Sequence, residues 1–397
     1  MGKTSYDFVD PSRREIYSTN PTDKRELMVY IWYPSSTVPG ATPAPYQEDA
    51  VVQALASIWT LPPDDVVQVF HSVQTRAVPK AALSTAQCSY PVLIFSPGQG
   101  GLPEQYTSLA SELASHGYVV AAISHNYDAV VSMFPDGRIV PIAAKIANEW
   151  SLDQESVNRI DEEDVNIRTL DARFVLNELE HLNANDPQRL FTGHLDLNRS
   201  GILGHSVGGT TTAKAMLEDT RFKAGLDLDG NSLLYQPLLG NQAPTRPFML
   251  INSEQFSTSG KFGPPQRSFY EKLKGNAYDL TIQGTEHANF VDSPLLVQAL
   301  SAYSQNLADQ LNETIGPIGS IDAKRGAQII KDYTLAFFDK YLKNQNSPLL
   351  NGSNPNYPEV QFSSRNITSG GNEQSTFSTI VNRPGRIDGA RQCRVHW

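Results

Sequence analysis

The sequence predicts an α/β fold, a mostly parallel central sheet flanked by helices, preceded by N-terminal strands and carrying a helical insertion. Two observations carry that prediction. From residue 91 onward, short continuous apolar runs alternate with segments of helical periodicity, the pattern of βαβ units stacked on a shared sheet. The stretch Gly204-His205-Ser206-Val207-Gly208 lies where one such run gives way to one such helix.

Taken in order, "PVLIFSPG" (91–98) is a buried strand that ends in a Pro-Gly turn. Residues 104–117 have helical spacing and stop at Gly117, and "YVVAAISH" (118–125) is again a strand. Ala172, Val175, Leu176, Leu179 and Leu182 define one buried helical face. The acidic run "DEED" (161–164) before it is read as the negative start that suits a helix N-terminus. Strand 200–206, helix 207–219, strand 222–230, strands 246–254 and 278–287, and an amphipathic helix near 323–342 complete the rhythm.

Two regions fall outside it. Residues 1–90 contain the strand-like "ELMVYIWYP", a Pro-rich stretch, and the helical "AVVQALASIWTL", which ends near Trp59. That helix reads either as one packed on the body or as a cap beside the site with a lipid-contacting face; the absence of basic residues favours packing. Residues 365–397 are rich in Ser, Asn, Gly and Arg without periodicity and are expected to be a disordered tail, leaving 1–364 as one domain.

Composition excludes several classes. The chain has 397 residues, 40% hydrophobic, 19% charged, with a net charge of −10 and no basic run, which argues against a nucleic-acid partner. No window holds the roughly 18 consecutive apolar residues of a membrane-spanning helix. Its two cysteines, Cys88 and Cys393, provide no zinc-type spacing, and a single bridge between them is left open. No metal or cofactor is expected. Sequons at Asn198, Asn312, Asn351 and Asn366 are no more than chance supplies. The opening "MGKTSYDFVD" lacks the basic-then-apolar order of a signal peptide, so the chain either stays inside the cell or begins after a removed leader.

The candidate chemistry centres on Ser206. A serine at the apex of a tight strand-to-helix turn is pressed by neighbouring chain, and glycine two residues before and after removes the clash. A base is needed downstream, and only His287 and His396 follow Ser206. His396 lies in the tail, so His287 in "GTEHANF" is the base. For the acid, Asp229 at the C-terminal end of "GLDLDG" is preferred to Asp227, which shares its face, and to Glu254, which ends a later strand. The glycine-rich "SPGQGGLP" (96–103) suits an oxyanion loop, with Gln99 and Val207 as backbone donors. His205 reads first as the bulky structural neighbour of the serine, and with His125 and Trp59 it completes the residues expected around a substrate.

These segments together, "LIFSPGQGGLPEQYTSLASELASHGYVVAAISH", "GHSVGG", "GLDLDG" and "GTEHANF", resemble the platelet-activating factor acetylhydrolase family, particularly its microbial members. The resemblance runs from "DFVDPSRRE" to "YPEVQF". It implies the α/β-hydrolase fold, a calcium-independent serine esterase, the triad Ser206–Asp229–His287, and the Gln99 and Val207 amides as oxyanion donors. It also implies a short-chain or oxidised acyl ester of a small molecule or lipid as substrate, peripheral lipid contact, a monomer, and secretion. Pro97 and Gln99 depart from the His and Leu of the lipoprotein-associated members. Two other readings stay open: a lactonase or polyester hydrolase with the same chemistry, and an inactive binding protein on a hydrolase scaffold.

Overall fold

Where Ser206, Asp229 and His287 come to lie is a matter of strand order. The computed structural model describes residues 1–36, 39–148 and 152–367, with the side chains of 314 and 315 left out. Its strands are β1 (Gly2–Arg14), β2 (Lys24–Tyr33), β3 (Val78–Pro79), β4 (Tyr90–Ser96), β5 (Val119–Ser124), β6 (Val131–Met133), β7 (Ile139–Pro141), β8 (Leu195–His205), β9 (Phe222–Leu228), β10 (Phe248–Ser253), β11 (Ala277–Ile282) and β12 (Val360–Arg365). Ten of them form one sheet in the order β12-β11-β10-β9-β8-β4-β5-β2-β1-β3, and β6 with β7 makes a separate hairpin. The strands from β5 through β4, β8, β9 and β10 to β11 run parallel, while β12, β2 and β1 join antiparallel. After β4 the chain first adds β5 on one side, then β8 on the other. That reversal opens a crevice at the carboxyl ends of β4 and β8, where the 97–102 loop and Ser206 emerge.

The helices are α1 (Asp49–Ile58), α2 (Pro63–Ser72), α3 (Thr107–Ser115), α4 (Ala144–Ala147), α5 (Gln154–Ala184), α6 (Val207–Glu218), α7 (Tyr235–Leu239), α8 (Glu254–Thr258), α9 (Gly263–Lys272), α10 (Ser293–Tyr303), α11 (Gln305–Ile315) and α12 (Ala323–Lys343). Side chains alternate across each strand, so β4 sends Val92 and Ile94 to one face and Leu93 and Phe95 to the other. The first face is covered by α5, α6, α7 and α9, through residues such as Val175, Leu179, Met216, Leu239 and Phe269. The second is covered by α3 and α12, through Leu113, Ile329, Tyr333 and Phe337. Each fully buried apolar side chain of this kind contributes about 1.5–3 kcal/mol.

Four helices stand apart. α1, α2, α10 and α11 share a cluster of their own, built on Val52, Phe70, Leu296, Leu300, Leu307 and Leu311. Val51 and Leu55 on the other side of α1 rest on Leu102, Ala129 and Val131, so this roof sits on the loop that follows β4.

The structure adds elements that the sequence reading did not name, among them α10, α11 and the β6–β7 hairpin, and it departs from what that reading said at three others. β1 is a strand that the mixed polar pattern of "GKTSYDFVDPSRR" concealed. The acidic run 161–164 is not at a helix start: α5 begins at Gln154, capped by the Asp153 carboxylate on the Ser156 N–H, and the run lies turns inside it. Arg365 pairs with Ala277 at the end of β12, so the expected tail yields its first residue to the sheet. The remainder of that tail from residue 368, with Cys393 and His396, lies outside the described residues. No helix among the described residues is long and apolar enough to cross a membrane.

Candidate active site

Ser206 stands between the end of β8 and the start of α6 with φ 57° and ψ −124°. Its N–H donates to the Leu228 carbonyl of the neighbouring strand at 3.0 Å, and its own carbonyl accepts from Gly209 at 2.9 Å. The left-handed turn is strained for a serine and holds because both sides are tied. Crowding explains the flanking glycines. A Cβ on Gly204 would lie 2.2 Å from the Gly208 carbonyl oxygen, and one on Gly208 would lie 2.1 Å from that of Ser96.

The Ser206 hydroxyl lies 3.0 Å from His287 Nε2, and His287 Nδ1 lies 2.7 Å from Asp229 Oδ2. Asp229 follows the last residue of β9 in a left-handed conformation, φ 49°, which turns its carboxyl across the top of β10. There the Ser253 N–H donates to Oδ1 at 2.7 Å, leaving Oδ2 for the imidazole. Asp229 is fully buried, whereas a third of the His287 side chain is exposed. His287 opens a 3-10 turn beyond β11, and its ring is sandwiched between Phe256, 4.6 Å away and nearly parallel, and His205, 4.5 Å away.

Sequence alternation placed Asp227 and Asp229 on one face, but they serve different neighbours. Asp227 is buried beneath the turn, bonded to the Tyr235 hydroxyl and pressed against the positions of Gly209 and Gly230. Burial pushes its carboxyl up to about 7, against the pull of Tyr235 and with the push of Asp229. Glu254, the rival acid, accepts the Gly284 N–H at 2.7 Å instead.

The loop after β4 runs beside the serine, since a Cβ on Gly98 would be 3.4 Å from that of Ser206. The Gln99 side chain turns to α5, its Nε2 donating to Asp161 at 3.3 Å and Asp164 at 3.2 Å. Burial pushes Asp161 up to about 6, and burial with the nearby Asp128 holds Asp164 well above the ordinary carboxylate range. Val207 begins α6, so its N–H belongs to the first turn, where helices leave donors without intrahelical acceptors.

Two of the residues expected around a substrate are buried side chains. His125 is 2% exposed, with Nε2 3.0 Å from the Ser96 hydroxyl and Nδ1 2.8 Å from Asp171, so both nitrogens are spent inside the protein. Burial and then Arg168 depress it to about 4. His205 is also buried; its Nδ1 meets the Tyr106 hydroxyl at 3.0 Å and its ring backs His287 rather than facing a ligand. Trp59 is half-buried in the roof, where with Tyr46, Leu55, Phe70 and Leu102 it lines a cavity of about 20 Å³.

Arg168, Phe256 and Ser253 were missed from the sequence. Arg168 had a readable signal: Asp161, Asp164, Arg168 and Asp171 repeat at helical spacing, a polar row beside the apolar face of Ala172, Val175, Leu176 and Leu179. Phe256 and Ser253 had none, since neither belongs to a pattern.

The sequence profile described as platelet-activating factor acetylhydrolase, isoform II, matches residues 25–356. The chain belongs to the platelet-activating factor acetylhydrolase family. It is 28% identical over 338 residues to a guinea-pig (Cavia porcellus) platelet-activating factor acetylhydrolase, covering 77% of this chain and 71% of that one. A probable 1-alkyl-2-acetylglycerophosphocholine esterase of Arthroderma benhamiae is 27% identical over 388 residues, covering 90% and 89%. Among solved structures, a ferulic acid esterase from Streptomyces cinnamoneus superposes with a TM-score of 0.74 at 29% identity, over 91% of this chain and 95% of that one. This member of the acetylhydrolase family has the α/β-hydrolase fold and is a carboxylic ester hydrolase.

Proposed function

We propose that Ser206 is the nucleophile, His287 its general base and Asp229 the acid that orients the imidazole, in the hydrolysis of short-chain acyl esters. The continuous Ser206–His287–Asp229 hydrogen-bond chain, anchored by the Ser253 N–H, carries this reading. His287 takes the hydroxyl proton as Ser206 Oγ adds to the ester carbonyl. The Val207 and Gln99 amides receive the oxyanion, and the protonated imidazole then returns its proton to the departing alcohol. Asp229 holds the Nδ1–H tautomer and supports the imidazolium. Water repeats the sequence on the acyl-enzyme and releases the acid.

Short acyl chains, including the acetyl group of an alkyl-acetyl glycerophosphocholine, are the substrate that the names of the relatives support. A second reading, esters of aromatic acids, is favoured by Phe256 and Phe262, stacked 4.2 Å apart beside His287, and by the ferulic acid esterase likeness. The test is Ser206→Ala on p-nitrophenyl acetate with fluorophosphonate labelling of the parent; retained turnover in the variant, or no labelling, ends the proposal. A panel of p-nitrophenyl acetate, an sn-2 acetyl phospholipid, a long-chain ester and methyl ferulate separates the two substrate readings.

A further inference from the structure

Arg168 is 1% exposed, on the face of α5 that meets the loop after β4. Its Nη1 donates to the Pro97 carbonyl at 2.6 Å and its Nη2 to that of Gly98 at 3.3 Å. On its other edge Nε and Nη2 grip both oxygens of Asp128, at 2.6 and 2.5 Å. Asp128 in turn accepts the Gly100 N–H at 3.2 Å. Three successive peptide units are therefore held by one buried ion pair. One turn further along α5, Asp171 reaches Ser96 through His125, so the residue from which the loop departs is tied to the same helix.

The orientation of those carbonyls matters because the peptide bond is planar and trans, with C=O and the following N–H pointing in opposite directions. With the Gly98 carbonyl turned to Arg168, the N–H of Gln99 is turned away from Arg168. The Ser206 side chain lies on the Cβ side of Gly98. Burying a guanidinium and a carboxylate costs several kcal/mol of lost hydration. A turn that needed only to be closed has cheaper means, and Gly101 N–H already donates to the Gly98 carbonyl at 3.0 Å.

We infer that the Arg168–Asp128 pair positions the oxyanion loop, fixing the Pro97 and Gly98 carbonyls so that the Gln99 N–H is aimed at the carbonyl oxygen of the substrate. Arg168 touches no reacting atom; it acts through the backbone. The inference rests on the proposed roles of Ser206 and Gln99.

Removing Arg168 alone leaves Asp128 buried and unpaired, so the informative variant is the neutral pair Arg168→Met with Asp128→Asn, whose Asn oxygen still accepts from Gly100. We expect it to fold, by circular dichroism, and to lose kcat by about 100-fold, the loss typical of one oxyanion donor, with KM within about threefold. A trifluoromethyl ketone, whose hemiketal mimics the tetrahedral oxyanion, should weaken by the same factor, while inhibition by the product alcohol is unchanged. Arg168→Lys keeps the ion pair but not the fork, and should fall between the two in both kcat and ketone affinity. Wild-type kcat and ketone affinity in either folded variant overturn the clamp. Ser206→Ala, run alongside, separates the failures: if it retains turnover the catalytic reading falls, and if it is inactive only the clamp is in question.

Discussion

The rings of His205 and His287 lie 4.5 Å apart, tilted by 31°, and only His287 has a carboxylate on its far nitrogen. The Tyr106 hydroxyl accepts the Gly98 N–H at 2.9 Å and also meets His205 Nδ1 at 3.0 Å. Burial first, and then the nearness of His287, hold His205 well below the usual histidine range. In the proposed mechanism the imidazolium formed on His287 would therefore have a neutral ring behind it, not a second cation.

That arrangement has a pH signature. A base depressed in the folded state binds fewer protons there than in the unfolded chain, so its stabilisation is full above about pH 6.5 and is lost as pH falls below it. His125, held to about 4, acts with the same sign. Asp161, Asp227 and Asp292, raised by burial to about 6, 7 and 7, act oppositely and cost stability as pH rises from about 4. His205→Phe should remove only its own part, so that relative to the parent the variant gains urea-melt stability as the pH falls from about 6.5 to 5. An unchanged slope would show that His205 is not held neutral.

Asp229 and Glu254 each follow the last residue of a strand near the site, and the two substitutions separate them. Asp229→Asn should lower kcat by about 10⁴-fold with the fold retained, because the amide cannot hold the Nδ1–H tautomer. Glu254→Gln, which keeps an oxygen for the Gly284 N–H, should stay within about tenfold of the parent. Stopped assays with p-nitrophenyl acetate suffice, and equal losses in the two variants would remove Asp229 from its assigned role.

Gly208→Ala tests the packing of the turn. The added methyl meets the Ser96 and Pro97 carbonyl oxygens at 2.1 and 2.5 Å, both of them backbone atoms that cannot swing aside. A destabilisation of about 3 kcal/mol, the upper part of the overpacking range, is expected in chemical melts. Parent-like stability would mean that the approach of β4 to α6 is looser than the structure has it.

The parallel strands, α6, α12 and the residues Ser206, Asp229 and His287, which the structure brings into hydrogen-bond contact, were legible in the sequence because each sits in a local pattern: an apolar run, a helical stripe, a glycine-flanked serine, an acid at a strand end, one of two histidines downstream. What was illegible depended on burial. Nothing local distinguishes a solvated Asp161 at a helix start from one facing Gln99, or a pocket-lining His125 from one sealed between Ser96 and Asp171. β1 was hidden because its polar residues, among them Asp10 and Thr4, find partners only after folding. Roof helices α10 and α11 were missed because their apolar faces answer to α1 and α2, more than two hundred residues earlier in the chain.

The roof has an apolar centre of its own, and it meets the body in two ways: through side chains around Leu102, and through α10, which packs on α12 and on the 3-10 turn that begins with His287. A change of size in α1 or α2 is thus set apart from β8 and β9, whereas one in α10 passes directly to the turn that carries His287. A lineage can thus rework one half of its ceiling freely, but the other half only in step with the histidine beneath it.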